Sequence, residues 1–246
     1  MNTCVADLHV HTALSPCAAD EMTPPAIVAK ALAEGLDMIA VCDHNSARNV
    51  AAVQQAAGDR LAVLAGMEVT SAEECHVVGL FPAAAAAEAA AAELGETLAQ
   101  IDDDYESFFG EQHVLGADGA ELRRETLALA TATPLDVNDV VALIHRHGGL
   151  AVAAHIDRRS FGVIGQLGLF PTDAGFDGVE VSRHVAPGPE GEAEFGRYGL
   201  PIVRSSDAHY LHDIGAARTT LLCAGPGFAE LALALRHEGG RSIGDA

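Results

Sequence analysis

The sequence predicts an α/β protein built as a β/α barrel. Short apolar runs alternate with segments of helical periodicity along most of the chain, which is typical of successive βα units around a largely parallel sheet. Most side chains able to bind a metal stand at or just beyond the end of an apolar run. This placement is expected of a barrel, because its active-site residues collect at the C-terminal ends of the strands. A chain of 246 residues has room for one barrel and an insertion.

Eight apolar runs are the predicted strands, and three segments between or after them are predicted helices. The runs are Cys4–His9, Leu36–Val41, Leu61–Ala65, Val77–Phe81, Leu150–Ala154, Gly178–Val181, Ile202–Ser205 and Thr219–Cys223. The helices are Ala26–Glu34, Asp136–His147 and Phe228–Leu235. Thr23 and Pro24 favour the start of the first helix and Gly35 its end. The pair Gly148-Gly149 ends the second helix.

The alternation of strands and helices is interrupted from about residue 82 to 133. This stretch opens with an alanine-rich helix. Further on, Gln112–Leu115 and Glu121–Arg123 flank a turn at Asp118, which predicts a β-hairpin. We interpret 82–133 as an insertion or cap within a single domain over residues 1–246. A surface excursion without function is an equally open reading.

The charge of the chain bears on its partners. The formal net charge is −21, and only 14 residues are Lys or Arg, in no run longer than a pair. Because nucleic-acid backbones are held by clustered basic residues, the composition predicts no long nucleic-acid partner. A small phosphorylated ligand can still bind if metal cations reverse the local field. The composition does not predict an oligomeric state.

The cysteines and the N-terminus predict a cytoplasmic protein. The five cysteines are odd in number, widely spaced and without a CxxC motif, as in proteins of a reducing compartment. The N-terminus has neither the basic nor the apolar region of a signal peptide. No apolar stretch is long enough to span a bilayer, and the alanine run is broken by Glu88 and Glu93. We therefore expect no membrane partner.

Histidines and carboxylates from six segments form the candidate site. The residues that follow apolar runs are His9, His11, His44, Glu68, His155, Asp207 and His209, and His76 precedes its run. Residues two apart on a strand project to one face, so His9 and His11 can reach the same cation. Imidazole with carboxylate suits Zn, Mn or Fe better than Mg. The set exceeds the needs of one tetrahedral ion, which favours two or three metals with Glu68 as a bridge.

The remaining histidines are weaker candidates. We leave out those on a predicted helix, in the hairpin, in a loop or near the C-terminus: His113, His145, His147, His212 and His237. His184 stands near the end of an apolar run and stays open as a site residue.

At these motifs the chain resembles the PHP family, named for polymerase and histidinol phosphatase domains. The matching pieces are Asp7-Leu8-His9-Val10-His11-Thr12, Thr23-Pro24, Gly35-Leu36-Asp37, Asp43-His44-Asn45, Gly66-Met67-Glu68, His76, Ala154-His155 and Ser206-Asp207-Ala208-His209. The resemblance covers nearly the whole chain except about 82–133. It implies a distorted seven-stranded TIM-like barrel with a trinuclear metal site.

The resemblance also implies which residues hold each metal. The first ion would be bound by His9, His11, Glu68 and Asp207, the second by Glu68, His76 and His155, and the third by His44 and His209. Some members have a further ligand to the third metal shortly after the HxH pair. Here that place holds Cys17, a candidate thiolate ligand, with Asp20 as a less aligned alternative.

The activity that follows from this resemblance is hydrolysis of a small phosphate ester, in a metabolite or nucleotide, by a metal-activated hydroxide. Asp43 would orient His44 or another ligand. Arg158 and Arg183 would grip phosphate, although ordinary surface arginines are an equal alternative.

Three other readings remain. One is a nuclease or oligonucleotide phosphodiesterase, and another is a non-catalytic, metal-stabilised regulatory domain. An amidohydrolase-like enzyme is disfavoured, because such enzymes use a carboxylated lysine bridge and the single lysine, Lys30, is in a predicted helix.

Overall fold

The computed structural model describes residues 1–186 and 188–244. Its strands are β1 (Asn2–Val10), β2 (Met38–Val41), β3 (Ala62–Thr70), β4 (His76–Phe81), β5 (His113–Leu115), β6 (Glu121–Arg124), β7 (Leu150–Ala153), β8 (Gly178–Val181), β9 (Ile202–Arg204), β10 (Thr219–Cys223) and β11 (Ser242–Gly244). Its α-helices are α1 (Pro24–Ala33), α2 (Val50–Ala57), α3 (Ala84–Gly95), α4 (Asp103–Phe109), α5 (Val137–Arg146), α6 (Val163–Leu167), α7 (Pro189–Glu192) and α8 (Phe228–Leu235). The strands and helices expected from the sequence are all present, with ends shifted by a few residues.

Seven strands form the barrel, in the order β1-β2-β3-β4-β7-β8-β9. The ring closes where the segment after β9 pairs in parallel with the end of β1. His11 N donates to Ala208 O at 3.0 Å, and Ala208 N donates to His9 O at 3.3 Å. β10 and β11 extend the sheet antiparallel from the first half of β1. The expectation of a distorted seven-stranded TIM-like barrel is confirmed.

One barrel strand runs against the others. β4 is antiparallel to both β3 and β7, whereas β1/β2, β2/β3, β7/β8 and β8/β9 are parallel pairs. Only residues 71–75 separate β3 from β4, and antiparallel neighbours can be joined by such a short connection. The first residue of β4 therefore lies at the same edge as the last residues of the other strands. This reversal explains why His76 precedes its apolar run.

Both faces of the barrel strands are buried, which explains their nearly continuous apolar sequence. In β2, Met38 and Ala40 belong to a cluster shared with β1, β4, β7 and α8. The alternate residues Ile39 and Val41 belong to a second cluster, which packs the strands against α1, α2, α3 and α5. The core consists mainly of aliphatic side chains.

The segment 82–133 contains two kinds of structure. Its first part, α3, packs on the barrel through Ala87, Ala90 and Leu94, which are fully buried in the outer core cluster. The rest contains α4 and the hairpin β5–β6, in which His113 pairs with Arg124 and Leu115 with Glu121. The hairpin is found where the sequence predicted it. The regular succession of barrel elements is thus interrupted only after α3.

The described residues contain neither a disulfide nor a membrane-spanning helix. All five cysteines are unpaired. No helix within residues 1–186 and 188–244 is long and apolar enough to cross a membrane.

Candidate metal centre

The candidate ligands converge at one end of the barrel. His9 lies in β1, Glu68 in β3 and His76 at the start of β4, while the others lie in loops just beyond β1, β2, β7 and β9. Six of them are buried: His9, His11, His44, Glu68, His76 and His155. Asp207 and His209 are partly exposed at the mouth of the site. The structure thus brings together all eight histidines and carboxylates that the sequence singled out.

Glu68 occupies the centre of this cluster. Its carboxylate oxygens lie within 3.4 Å of nitrogen atoms on five imidazoles, and the individual distances are 2.8 Å to His76 Nδ1, 3.1 Å to His44 Nδ1, 3.2 Å to His155 Nε2, and 3.4 Å to both His9 Nε2 and His11 Nε2. The carboxylate is 1% exposed. A single buried anion surrounded in this way is suited to bridging cations.

Three overlapping groups have the spacing of a metal site, with one potential ligand atom per residue and all such atoms within 4.8 Å of one another. The groups are His9, His11, Glu68 and Asp207; His44, Glu68 and His76; and His11, His44 and His209. Glu68, His11 and His44 each belong to two groups, so neighbouring sites would share ligands.

Unpaired polar atoms show that the cluster fits cations. Five buried atoms here have no hydrogen-bond partner: His44 Nδ1, Glu68 Oε2, His76 Nδ1, His155 Nδ1 and Asp207 Oδ1. Some lie close to one another, but without hydrogen-bond geometry. Buried polar groups are costly unless they are paired. Imidazole nitrogen and carboxylate oxygen are together the ligands preferred by Zn, Mn and Fe.

The protonation of the cluster agrees with a demand for positive charge. Burial raises the pKa of Glu68, but His76, His9 and His44 outweigh that effect and hold it well below its usual value. Burial, reinforced by the nearby His209, places the pKa of His11 well below the usual value. Burial likewise lowers the pKa of His76 to about 4. Burial lowers the pKa of His9 and of His44, but Glu180 beside His9 and Glu68 beside His44 outweigh that effect and raise both pKa values well above the usual value. Ionised Glu and neutral His are the forms that bind metals, so a bound cation would displace the protons of His9 and His44.

Asp43 supports the cluster through hydrogen bonds rather than by touching an imidazole. Its carboxylate accepts from Thr12 N at 2.7 Å, Thr12 Oγ1 at 2.8 Å and Ser15 Oγ at 2.7 Å. Ser15 Oγ lies 2.9 Å from His11 Nδ1 and accepts from His44 N at 3.1 Å. Asp43 therefore orients His11 through Ser15, and the same hydroxyl fixes the backbone that carries His44.

Glu180 contacts two of the candidate ligands, and the sequence analysis did not identify it as part of the site. It is buried in β8, and its carboxylate lies 3.1 and 3.2 Å from His9 Nδ1. It also accepts from His155 N at 3.2 Å. A carboxylate that holds the second nitrogen of an imidazole is typical of metal-binding histidines. The signal in the sequence was an ionisable residue inside an otherwise apolar run.

Asp7 plays a comparable part below the loop that carries Asp207 and His209. It is fully buried and accepts from Ser206 N at 3.0 Å, Ser206 Oγ at 2.6 Å and Gly215 N at 2.8 Å. Burial raises the pKa of Asp7 to about 6. These bonds fix the start of the Ser206–His209 segment against β1.

Two candidate ligands have unusual backbone conformations. His155 has φ of 27° and Asp207 has φ of 51°. Positive φ is uncommon for residues other than glycine, and such conformations concentrate at functional sites. The sharp turn of the backbone directs each side chain from a strand end into the cluster.

Cys17 lies beside the third group. The residue is exposed and lines the cavity. The groups packed around the sulfur raise the pKa of its thiol, but the nearby imidazoles of His209 and His44 lower it to about 6. A thiolate at this point can serve as a metal ligand. Asp20, the alternative, is 92% exposed and faces His113 at 3.7 Å instead.

The cluster opens into a cavity of about 410 Å³. Both arginines singled out from the sequence line it: Arg158 donates to Asp207 Oδ2 at 2.7 Å, and Arg183 forms an ion pair with Asp213. Further lining residues that the sequence analysis did not identify are Phe161, Ser182, Tyr210 and Asp213. His184, left open above, also lines it.

Three of the histidines left out above pair with carboxylates outside the cluster. His113 pairs with Glu121 at 2.5 Å, His145 with Asp177 at 2.8 Å and His147 with Glu93 at 3.0 Å. His212 is 77% exposed. Lys30 pairs with Glu34 at 2.5 Å on α1 and is not among the residues of the cluster.

The sequence matches two known protein domains. The PHP domain matches residues 7–168, which is more than half of the chain, and a second domain described as PHP-associated matches residues 193–238. The chain belongs to the PHP family. The PHP match contains every candidate ligand except Asp207 and His209, which fall in the PHP-associated match. None of the curated proteins matches the sequence.

Solved structures share the PHP fold at low sequence identity. The lesion-specific endonuclease EndoQ from Pyrococcus furiosus superposes with a TM-score of 0.74 at 16% identity, over 98% of this chain and 58% of its own. A candidate metal-dependent phosphoesterase from Bifidobacterium adolescentis superposes with a TM-score of 0.58 at 21% identity, over 83% of this chain and 87% of its own. An amidohydrolase from Chromobacterium violaceum, with bound sulfate and no metal, superposes with a TM-score of 0.60 at 23% identity, over 86% of this chain and 90% of its own. The PHP chain thus spans 58% of the endonuclease's length.

The expectation that long nucleic acid is excluded as a partner is wrong. Endonuclease Q, with the same fold over 98% of this PHP chain, has been solved with a 27-mer duplex carrying an abasic lesion at its active site. The prediction rested on the net charge of −21, which averages the whole surface. Phosphate groups respond to the local field, and bound cations at a site can reverse that field.

Proposed function

We propose that this PHP chain is a metal-dependent phosphoesterase that hydrolyses a small phosphorylated metabolite or nucleotide. The observation that carries the proposal is the group of unpaired buried atoms at the centre of the cluster: His44 Nδ1, Glu68 Oε2, His76 Nδ1 and Asp207 Oδ1. Together with the shared ligands of the three groups, it favours two or three divalent ions of Zn, Mn or Fe.

Each ion has a ligand set in this proposal, and the first two share Glu68. His9, His11, Glu68 and Asp207 hold the first, and their ligand atoms already lie within 4.8 Å of one another. Glu68, His76 and His155 hold the second, with His44 also close to this position. His44, His209 and Cys17 hold the third, and His11 is near enough to contribute.

The reaction combines the ions with side chains of the cavity. When bound, divalent ions lower the pKa of a water molecule and neutralise charge on phosphoryl oxygens. Arg158 and Arg183 line the cavity, and their planar guanidinium groups can bind a phosphate through two parallel hydrogen bonds. Because both already pair with carboxylates, they are held at the cavity wall before the substrate arrives.

Buried carboxylates fix the geometry of the ligands. Glu180 holds His9, Asp43 acts on His11 through Ser15, and Asp7 holds the segment that ends in His209. These groups do not touch the substrate. Their part is to keep the imidazoles in place and in the tautomer that leaves the other nitrogen free for a metal.

A second candidate function is cleavage of phosphodiesters in nucleic acid. The extent of the match with EndoQ, 98% of this chain, favours it. The chemistry at phosphorus is the same for both candidates, so the size of the substrate is what separates them. A non-catalytic, metal-stabilised domain is the reading that applies if metal binds without turnover.

The test is metal analysis of the untagged protein together with hydrolysis assays on phosphomonoesters, phosphodiesters and a short duplex with an abasic site. We expect two to three equivalents of metal and turnover that His9→Ala abolishes. His145→Ala is the matched control, because His145 also pairs with a carboxylate but lies outside the cluster. Less than one equivalent after reconstitution, with no turnover, would show that the ligand assignment is wrong.

A further inference from the structure

The cavity beside the metal centre has two aromatic rings in its wall, and neither has a part in the function proposed so far. Phe161 lies in the loop after β7 and Tyr210 in the loop after β9. Aromatic residues are scarce in this chain, with 8 Phe, 3 Tyr and no Trp. Two of the large apolar side chains that are exposed in the described part of the chain nevertheless line this cavity.

Phe161 is held firmly in place. Its ring stacks on the imidazole of His76, with 4.5 Å between centroids and 19° between planes. Its carbonyl accepts from His76 N at 2.8 Å, and its backbone has φ of 63°, an outlier for a bulky residue. One face of the ring is therefore covered by a candidate ligand, and the side chain remains 37% exposed.

Tyr210 has a similar arrangement in the neighbouring loop. Its ring stacks on His212, with 5.5 Å between centroids and 27° between planes, and the residue is 47% exposed. It follows His209 directly and accepts a hydrogen bond from Asp213 N at 3.0 Å. Asp213 in turn pairs with Arg183. Arg183 and Tyr210 also line the same cavity, so a phosphate at Arg183 would share it with this second ring.

The wall thus combines exposed aromatic faces with guanidinium groups. Planar rings stack on aromatic side chains whatever their exact identity, and arginine adds cation–π attraction. An aliphatic group gains less from such a wall. The volume of about 410 Å³ lies within the range of about 300–1,000 Å³ that is usual for small-ligand sites.

We propose that the substrate carries a planar aromatic ring next to its phosphate ester, and that Phe161 and Tyr210 select this ring by stacking on it. This inference rests on the proposed phosphoesterase function. The ring is either a nucleobase or a simple aryl group. These two sources share the same flat π face, and the experiment below separates them.

The experiment compares kcat/KM of the metal-loaded protein on adenosine 5′-monophosphate, phenyl phosphate and ribose 5-phosphate. The first and last differ only by the base. Stacking of a base on an aromatic side chain changes affinity by about 5- to 150-fold, so we expect a preference of about 10-fold or more for the ring. Phenyl phosphate preferred over the nucleotide would identify an aryl ester, and the reverse a nucleotide.

Variants test whether Phe161 is responsible. Phe161→Leu keeps an apolar side chain but removes the π face, and we expect the ratio of kcat/KM for adenosine monophosphate over ribose 5-phosphate to fall about 10-fold. Phe109→Leu is the matched control, because Phe109 is also 37% exposed but lies on α4. Tyr210→Leu is the second variant, should Phe161→Leu reduce metal content. The proposal would be overturned, with the phosphoesterase function intact, by either of two results. One is that neither ring-bearing ester is preferred over ribose 5-phosphate in the wild type, and the other is that the ratio of the preferred ring-bearing ester over ribose 5-phosphate is unchanged in both cavity variants.

Absence of all turnover would instead count against the proposed function. In that case calorimetric titration with adenosine monophosphate and ribose 5-phosphate decides the role of the rings. Tighter binding of the nucleotide that is lost in Phe161→Leu would support stacking, and equal affinities would refute it.

Discussion

Replacing Glu180 by Gln should weaken metal binding at a site that the substitution does not touch directly. Glu180 lies 3.1 Å from His9 Nδ1, on the side of the ring away from Glu68 and Asp207. The side chains of His9, Glu68 and Glu180 are buried, and that of Asp207 is 14% exposed. The Glu180 carboxylate therefore makes the other nitrogen of His9 a better electron donor and fixes the orientation of the ring.

The expected size of the effect follows from these contacts. Loss of a hydrogen-bonded partner of a metal-binding histidine costs about 10- to 100-fold in affinity, or roughly 1.4–2.8 kcal/mol. Gln keeps one oxygen that can accept from His9 Nδ1 or from His155 N, but it loses the negative charge. We therefore expect about 10-fold weaker binding for Glu180→Gln and about 100-fold for Glu180→Ala.

The assay is competition of the metal-free protein with a chromophoric chelator for Zn²⁺ at constant pH. Asp177→Asn is the control, because Asp177 also pairs with an imidazole, His145 at 2.8 Å, and accepts from a backbone amide, Ala151 N at 2.8 Å, but outside the cluster. A dissociation constant for Glu180→Gln within twofold of the wild type would refute this reasoning. It would mean that His9 is oriented by packing alone, or that it is not a ligand.

Three further predictions concern residues around the cluster. Arg183→Ala should raise KM for the phosphate ester about 10-fold or more while metal content stays the same, because its guanidinium faces the cavity and pairs with Asp213. Cys17→Ser should remove the thiolate-to-metal charge-transfer absorption of the Co²⁺-substituted protein, since the thiol lies beside His44 and His209. Ser15→Ala should lower the free energy of unfolding by about 1–3 kcal/mol, because it leaves His44 N and His11 Nδ1 without a partner.

Each of these predictions has a control within the chain. Arg197→Ala removes an arginine that stacks on Tyr198 at the surface, and it should leave KM unchanged. Cys223→Ser alters a buried thiol next to Cys4 and should keep the charge-transfer band. Ser205→Ala removes a buried hydroxyl that has no hydrogen-bond partner, so it should cost little stability. Equal effects in test and control variants would contradict the assigned roles.

Much of the barrel could be predicted from the sequence because its strands are buried on both faces. Runs such as Val77–Phe81 and Leu150–Ala153 are then almost wholly apolar, and their ends are marked by polar residues. Strand direction, however, leaves no trace in such a run. The reversal of β4 became visible only through its pairing with β3 and β7, although the position of His76 before its run was a symptom of it.

The ligands were easier to predict than the residues that hold them. His9, Glu68 and Asp207 stand at places where an apolar residue would be expected or a strand has just ended. Glu180 contacts a residue 171 positions away in the sequence, and Ser15 contacts one 4 positions away. Nothing in the local sequence of either residue indicates its partner. The left-handed backbone at Asp207 is likewise set by the surroundings, since no glycine marks it.

The closure of the barrel has a consequence for how the protein folds. β9 and β1 meet through little more than the contacts of Val10 with Ala208 and of Asp7 with Ser206, and 199 positions separate the last two. Contacts of such high sequence separation are slow to form, so this seam is expected to be among the last parts to assemble. The candidate ligands lie on both sides of it, His9 and His11 on one and Asp207 and His209 on the other. An ion bound there would link side chains at the end of the first barrel strand to side chains that follow the last one. Metal binding would then require that the barrel has closed. Loss of the ion would first weaken the pairing between the end of β1 and the segment after β9.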